Sequence, residues 1–341
     1  MTDLRIQRLA ALGKAHTTET LTQALSQTVG IQAQQLRQAE VGLALQVPSL
    51  TRNELVAAYD SGVVVRVWAQ RWTYQLMTQA DWALVIAARL NEQLPTAYFQ
   101  GQQTLFKTLA TSLTQYLATI DHISQAEVDY YLEKLAGKTL LPQERYAILQ
   151  LVAHTGAFTF VPKAGNQYEL RVQHVSLVAP NTAITQLMPR YLAGFGPASI
   201  NDFCKWAGLT LSRVKPLWQH AAQDWVDVGN GLFALDLPAT TEFPEVVLTA
   251  GFDAAMTGYA DKNWLTDLTH QRQLWTVNGI LKPLVIINGA VVGTWHFKVQ
   301  GKKMRATLNA WAPLTSAQIG KLTAKLQHVA QFLNLTLIFQ P

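Results

Sequence analysis

The chain has 341 residues, 49% of them apolar and only 14% charged, enough for several packed units with cores of their own. It has no run of about 18 apolar residues, and MTDLRIQRLAALGKAH lacks the basic start and continuous apolar core of a signal peptide, so a cytoplasmic protein without membrane contact is expected. A single cysteine, Cys204, excludes an internal disulfide or a four-cysteine metal site; the eight histidines lack HxxxH or HExxH spacing, so no metal and no cofactor are expected, while the net charge of +5 permits an anionic partner.

Residues 1–80 read as four helices and two strands. Two of the helices, TETLTQALSQTV and LRQAEVGLALQ, carry apolar residues every three or four positions and flank GIQAQQ, residues 30–35. If Gly30 ends the first helix and the second begins near Gln35, Gln32 and Gln34 sit two apart in an extended segment and share a face; in a helix they would diverge. GVVVRVWAQ and RWTYQLM follow as strands, rich in β-branched and aromatic residues. Helices followed by a β-hairpin is the order of a winged helix.

That order recurs. FKTLATSLTQYLATI, SQAEVDYYLEKLAG and LPQERYAILQLVAHTG read as helices, with Ser124 and Glu127 spaced as a capping box, and AFTFVPKAGNQYELRV as a hairpin with a Gly-Asn turn. A third copy runs from NTAITQLMPRYLAGF through PASINDFCKWAG and TLSRVKPLWQHA to DWVDVGNGLFALD, where Asn230-Gly231 is a two-residue turn. The remainder is strand-rich with glycine turns, then one amphipathic helix, SAQIGKLTAKLQHVAQFL, and a closing strand, LTLIFQ. The predicted fold class is α+β: three tandem winged-helix units at 1–80, 81–178 and 179–239, followed by a β-barrel-like domain at 240–341.

Four stretches, taken together and in this order, resemble the winged-helix family of bacterial AlkZ-like DNA glycosylases: VGIQAQ at 29–34, RYLAGFGPASINDFCKWAGL at 190–209, LTAGFDAAMTGYADK at 248–262 and NGILKPLVIINGAVVGTW at 278–295. The resemblance spans nearly the whole chain. It implies tandem winged helices with a β-barrel, excision of N7-alkylated or crosslinked purines, and a catalytic Q-x-Q pair falling on Gln32 and Gln34. The implied partner is double-stranded DNA carrying alkylated purines, bound by a monomer without metal. Two departures stand out: the family's usual R-G-T-x-H-L reads Arg71-Trp72-Thr73-Tyr74-Gln75-Leu76 here, and His296 follows Trp295 where arginine is common.

The chemistry suits two amides. N7-alkylated guanine is already cationic and leaves readily, so no general acid is required. A glutamine amide is no useful base, but it can hold a water by accepting with its carbonyl and donating with its NH2. In the crosslink-unhooking branch of the family the second glutamine is an aspartate, so Gln34 points to labile cationic adducts. No lyase lysine stands out, and a monofunctional hydrolase is expected. On composition alone, a glutamine pair in a glutamine-rich chain also reads as a solvated surface feature. Arg71, Trp72, Tyr74 and Gln75 are candidates for DNA contact or base stacking, with packing on a wing strand as the other reading. Lys302, Lys303 and Arg305, in GKKMR, are candidate phosphate or groove contacts, or an ordinary solvated turn. Asp253, Tyr259 and Trp295 read as structural. A non-catalytic winged-helix DNA-binding protein is the alternative function; a small-molecule enzyme has no phosphate loop, dinucleotide motif or triad spacing behind it.

Overall fold

The structure, a computed structural model, describes residues 3–94, 99, 101–163, 167–173, 175–236 and 242–340. The N-terminal part runs α1 (Leu4–Ala11), α2 (Leu21–Gln27), β1 (Ile31–Gln32), α3 (Leu36–Gln46), α4 (Arg52–Ser61), β2 (Val64–Trp68), β3 (Tyr74–Thr78) and α5 (Gln79–Arg89). Reciprocal caps start α2 at Thr20 and Gln23 and α4 at Thr51 and Glu54, each satisfying backbone donors at a helix start. Gly62, left-handed at φ 79°, ends α4 and releases the chain into the β2–β3 hairpin.

The next part repeats the theme with α6 (Gln103–Leu117), β4 (His122–Ser124), α7 (Gln125–Ala136), α8 (Pro142–Ala153), β5 (Phe158–Pro162) and β6 (Tyr168–Val172). Ser124 and Glu127 form the expected capping box. The expected Gly165-Asn166 turn lies outside the described residues. The two hairpins are not separate wings: β2 pairs with β5 at Arg66 and Phe160, joining the strands in one antiparallel sheet of order β1-β3-β2-β5-β6-β4.

The third part packs α9 (Pro180–Phe195), α10 (Ile200–Ala207) and α11 (Leu211–Ala221) against the short hairpin β7 (Val226–Gly229) and β8 (Leu232–Ala234). Asn230 and Gly231, at φ 55° and 72°, make its two-residue turn, as their identities lead one to expect. A core of Tyr191, Phe195, Phe203, Trp206 and Tyr259 joins this part to the C-terminal one.

There, β9 (Val246–Leu248), α12 (Ala254–Thr257), α13 (Leu268–Gln271), β10 (Leu284–Ile287), β11 (Ala290–Gln300), β12 (Lys303–Ala310), α14 (Ser316–Phe332) and β13 (Thr336–Phe339) follow. The sheet order β13-β12-β11-β10-β9 does not close, so the barrel-like domain expected from the sequence is a half-barrel. Its apolar face, with Trp295 and Met304, is covered by Leu322, Leu326 and Val329 of α14. Trp295 is core, as expected, its indole donating to the Thr249 carbonyl at 2.9 Å.

Candidate active site

Gln32 and Gln34 project from a segment whose backbone is held on both sides. Gly30, at φ 93°, turns the chain out of α2, and a Cβ there would lie 2.9 Å from Met77 Cε and 3.0 Å from the Leu76 carbonyl oxygen. β1 then pairs with β3, Gln32 opposite Gln75, and the Ala33 amide donates to the Tyr74 carbonyl at 2.7 Å. Ala33 is fully buried between them, and the strand ends at Gln32, so that Gln34 lies in a bend. Gln34 is exposed and Gln32 half-buried.

Arg71 sits beside the pair. One terminal nitrogen of its guanidinium, Nη2, donates to Gln32 Oε1 at 2.8 Å; the other, Nη1, donates to the carbonyls of Trp206 at 2.9 Å and Thr257 at 3.3 Å. These are the last turns of α10 and α12, whose free carbonyls suit a cation. No carboxylate pairs with Arg71 among the described residues, and burial holds its guanidinium down to about 10. Sequence reasoning missed Arg89, which donates to the Gly208 carbonyl at 2.9 Å and is also held at about 10 by burial. It missed Lys262 as well; burial first, then the charges of Lys205 and Arg71, hold that ammonium below its ordinary value. These residues come from distant parts of the chain, which left no local pattern to read.

The three neighbours of Arg71 are placed for packing. Trp72 is buried, its ring under the Arg89 guanidinium at 4.3 Å and against His154 at 4.9 Å, with no face free to stack on a base. Tyr74 packs on Trp68 and Phe160 and carries Arg66 over its ring at 4.0 Å. Gln75 is buried on the face it shares with Gln32 and donates to Thr73 Oγ1 at 2.8 Å, so it lies beside Gln32 rather than at the surface. The family block around 253 is structural too: Asp253 caps α12 and pairs with buried Lys14 at 2.8 Å, and Tyr259 donates to the Phe195 carbonyl at 2.8 Å.

One residue beyond Gln34 in the chain, Gln35 borders a cleft of about 390 Å³ that opens between Gln35 and Gln38 at the start of α3, Ile280 and Lys282, and His296 and Asn309 on the half-barrel. Gln38 ties its walls together by accepting from the Gly251 amide at 2.9 Å. The β11–β12 hairpin then extends away from it. Strand alternation and register put His296 opposite Thr307, Lys298 opposite Arg305 and Gln300 opposite Lys303 on its exposed face. Two cations directly across from one another disfavour the sheet. Neither they nor Lys302 and Lys303 have an acidic partner among the described residues. Lys298 was missed in the sequence, although its place two residues after His296 on a strand was a usable signal.

The α+β fold is matched by known proteins. The family model described as DNA glycosylase AlkZ-like matches residues 25–332. The interstrand DNA cross-link repair glycosylase of Streptomyces sahachiroi is 23% identical over 295 residues, covering 78% of this chain and 79% of that protein. The solved structure of Streptomyces sahachiroi DNA glycosylase AlkZ is similar with a TM-score of 0.78 at 18% identity, covering 99% of this chain and 97% of that one. By class, then, this is a DNA glycosylase of DNA repair. The chain belongs to the AlkZ-like DNA glycosylase family.

Proposed function

We propose that this protein hydrolyses the N-glycosidic bond of N7-alkylated, bulky or crosslinked purines in double-stranded DNA, as a cytoplasmic monomer and without cutting the strand. The observation that carries this is the Gln32-Ala33-Gln34 segment: Ala33 is locked into the core, Gln34 is exposed, Gln32 is half-buried and tied to Arg71, and the chain runs on into Gln35 at the edge of the cleft. The three helical parts act as winged-helix units that seat the duplex. The unpaired cations Lys298, Lys302, Lys303 and Arg305 meet phosphates along the hairpin. Lys262 and Lys205 add positive charge next to the pair.

In the reaction, C1′–N9 breaks with its electron pair passing to the cationic purine, which leaves neutral. Water adds to C1′ and loses a proton to solvent. Gln34, exposed and without a side-chain hydrogen bond among the described residues, orients that water; Gln32 contacts the water or the sugar–base junction. Positioning of this kind contributes several kcal/mol when the geometry is held. The crosslink activity named for the Streptomyces relative extends the candidate substrates to unhooking of N7-linked guanines.

The test is incubation with a duplex carrying one N7-methylguanine, and separately with one carrying an N7-linked guanine crosslink. Free base should be released and the strand should break only after alkali. Tight binding of damaged duplex with no release of base would favour the non-catalytic reading.

A further inference from the structure

Resting on the glycosylase reading, we propose that Arg71 is a positioning residue rather than a DNA contact: it fixes the Gln32 amide with its NH2 outward and so divides the pair into a donor, Gln32, and an acceptor, Gln34. A guanidinium has donors only, so the Gln32 atom facing it at 2.8 Å is the carbonyl oxygen. Neither N–H of that amide has a protein partner among the described residues. Gln34 makes no side-chain hydrogen bond among the described residues.

Arg71 has little freedom to do anything else. Two carbonyls from separate helix ends hold its other terminal nitrogen, and its own backbone is left-handed at φ 54°. Gly208 presses on it so closely that a Cβ there would come within 2.9 Å of the Arg71 nitrogen and 3.0 Å of its Cα. With no carboxylate partner, its charge acts on the Gln32 amide itself, polarising the NH2 into a stronger donor.

A strengthened donor is wasted on the attacking water, because donating to that oxygen weakens it as a nucleophile. It is useful on the departing purine, whose ring acceptors N3 and O6 gain electron density as the C1′–N9 pair arrives. A hydrogen bond there is stronger in the transition state than in the ground state, the condition for raising the chemical rate. Gln34 is then the residue that accepts from the water while the oxygen lone pair faces C1′.

The experiment is single-turnover release of N7-methylguanine from duplex DNA by the full chain and its variants at fixed salt. Arg71→Gln and Gln32→Ala should each lower the maximal rate about 10²-fold, in the range for loss of one preorganised donor. The half-saturating protein concentration should stay within about twofold, as for an interaction made only in the transition state. The double variant should be no slower than the slower single one. Gln32→Glu decides the matter even if Arg71 variants fold poorly: a carboxylate keeps the contact with Arg71 but has no NH2, so it should be as slow as Gln32→Ala. Weakened binding with an unchanged maximal rate in Arg71→Gln, multiplicative losses in the double variant, or a Gln32→Glu protein at parental rate would each overturn the proposal. A parent protein that releases no base overturns the glycosylase reading, and this inference with it; a parent that does, with variants just as fast, overturns this inference alone.

Discussion

Gln34 is exposed and makes no side-chain hydrogen bond among the described residues, while Gln32 is tied to Arg71, and the two should therefore fail differently when replaced. Gln34→Ala should slow base release about 10²-fold, a few kcal/mol at the barrier, with DNA affinity little changed. Gln34→Asp puts a real base on the water and should widen the range to less labile adducts, read as release from substrates the parent leaves intact. The parental rate should be flat through neutrality: amides do not titrate, and Arg71, held at about 10, stays protonated there. An inflection near neutrality would mean that a titrating side chain, not a positioned amide, acts as the base. Trp72 poses a separate question, because the family usually has glycine there and Trp72 sits at φ 58°. Left-handed backbone costs an L-residue about 1–2 kcal/mol. The buried ring between Arg89 and His154 returns more, since emptying such a site costs about 3–5 kcal/mol. Trp72→Gly should accordingly destabilise the fold by about 2–3 kcal/mol in urea denaturation, and a variant at least as stable as the parent would show strain to be the larger effect.

Elements with a strong local pattern were legible, and those without one were not. Gly30 and the two glutamines point to an extended segment, and the structure has a two-residue strand over Ile31–Gln32, with Gln34 beyond it in a bend. The Ser124 and Thr315 capping boxes mark the starts of α7 and α14. By contrast, α5 went unread because Trp82, Val85, Ile86, Ala87 and Ala88 are all buried, leaving no polar stripe to set a period. β4, at three residues, is too short to show alternation. The β11–β12 hairpin was legible as strands, and its cations as a run; only the register shows Lys298 facing Arg305. If that face meets phosphates, replacing Lys302, Lys303 and Arg305 together by alanine should weaken binding to all sequences alike. The dependence of log K on log salt should become shallower by about 0.9 for each phosphate no longer neutralised. Unchanged affinity and slope would return the hairpin tip to a solvated turn, and the Lys298→Ala protein then tests the remaining cation alone.

At the scale of the whole molecule, the candidate site is a product of long-range assembly. Gln32 and Arg71 lie 39 residues apart, and the carbonyls that anchor Arg71 come from positions 135 and 186 residues further on. Pairing between the β2 and β5 edges carries no signal in either sequence, because an edge is defined only by what comes to lie beside it. Thus a reading in successive units finds most of the elements but misses that the first two share a sheet. Trp68 shows the consequence: it belongs to the first hairpin, yet it is 2% exposed and packs against Tyr146 and Phe160 of the next part. Arg171 crosses the same boundary, donating to the Tyr59 carbonyl at 3.1 Å. A fragment of residues 1–94 keeps every atom of the Gln32–Arg71 hydrogen bond but lacks both carbonyl anchors and the cover over Trp68. Exposing one such side chain forfeits about 1.5–3 kcal/mol, a sizeable part of what a unit of that size has to hold it folded. The fragment should therefore show helical content without a cooperative thermal transition, bind a hydrophobic dye, and release no base. Mixing it with a fragment of residues 95–341 should restore cooperativity if the shared sheet is what holds the site. A sharply melting, dye-silent 1–94 fragment would instead make the N-terminal part an independent unit, and would move the origin of the site's rigidity into β1 and β3 themselves.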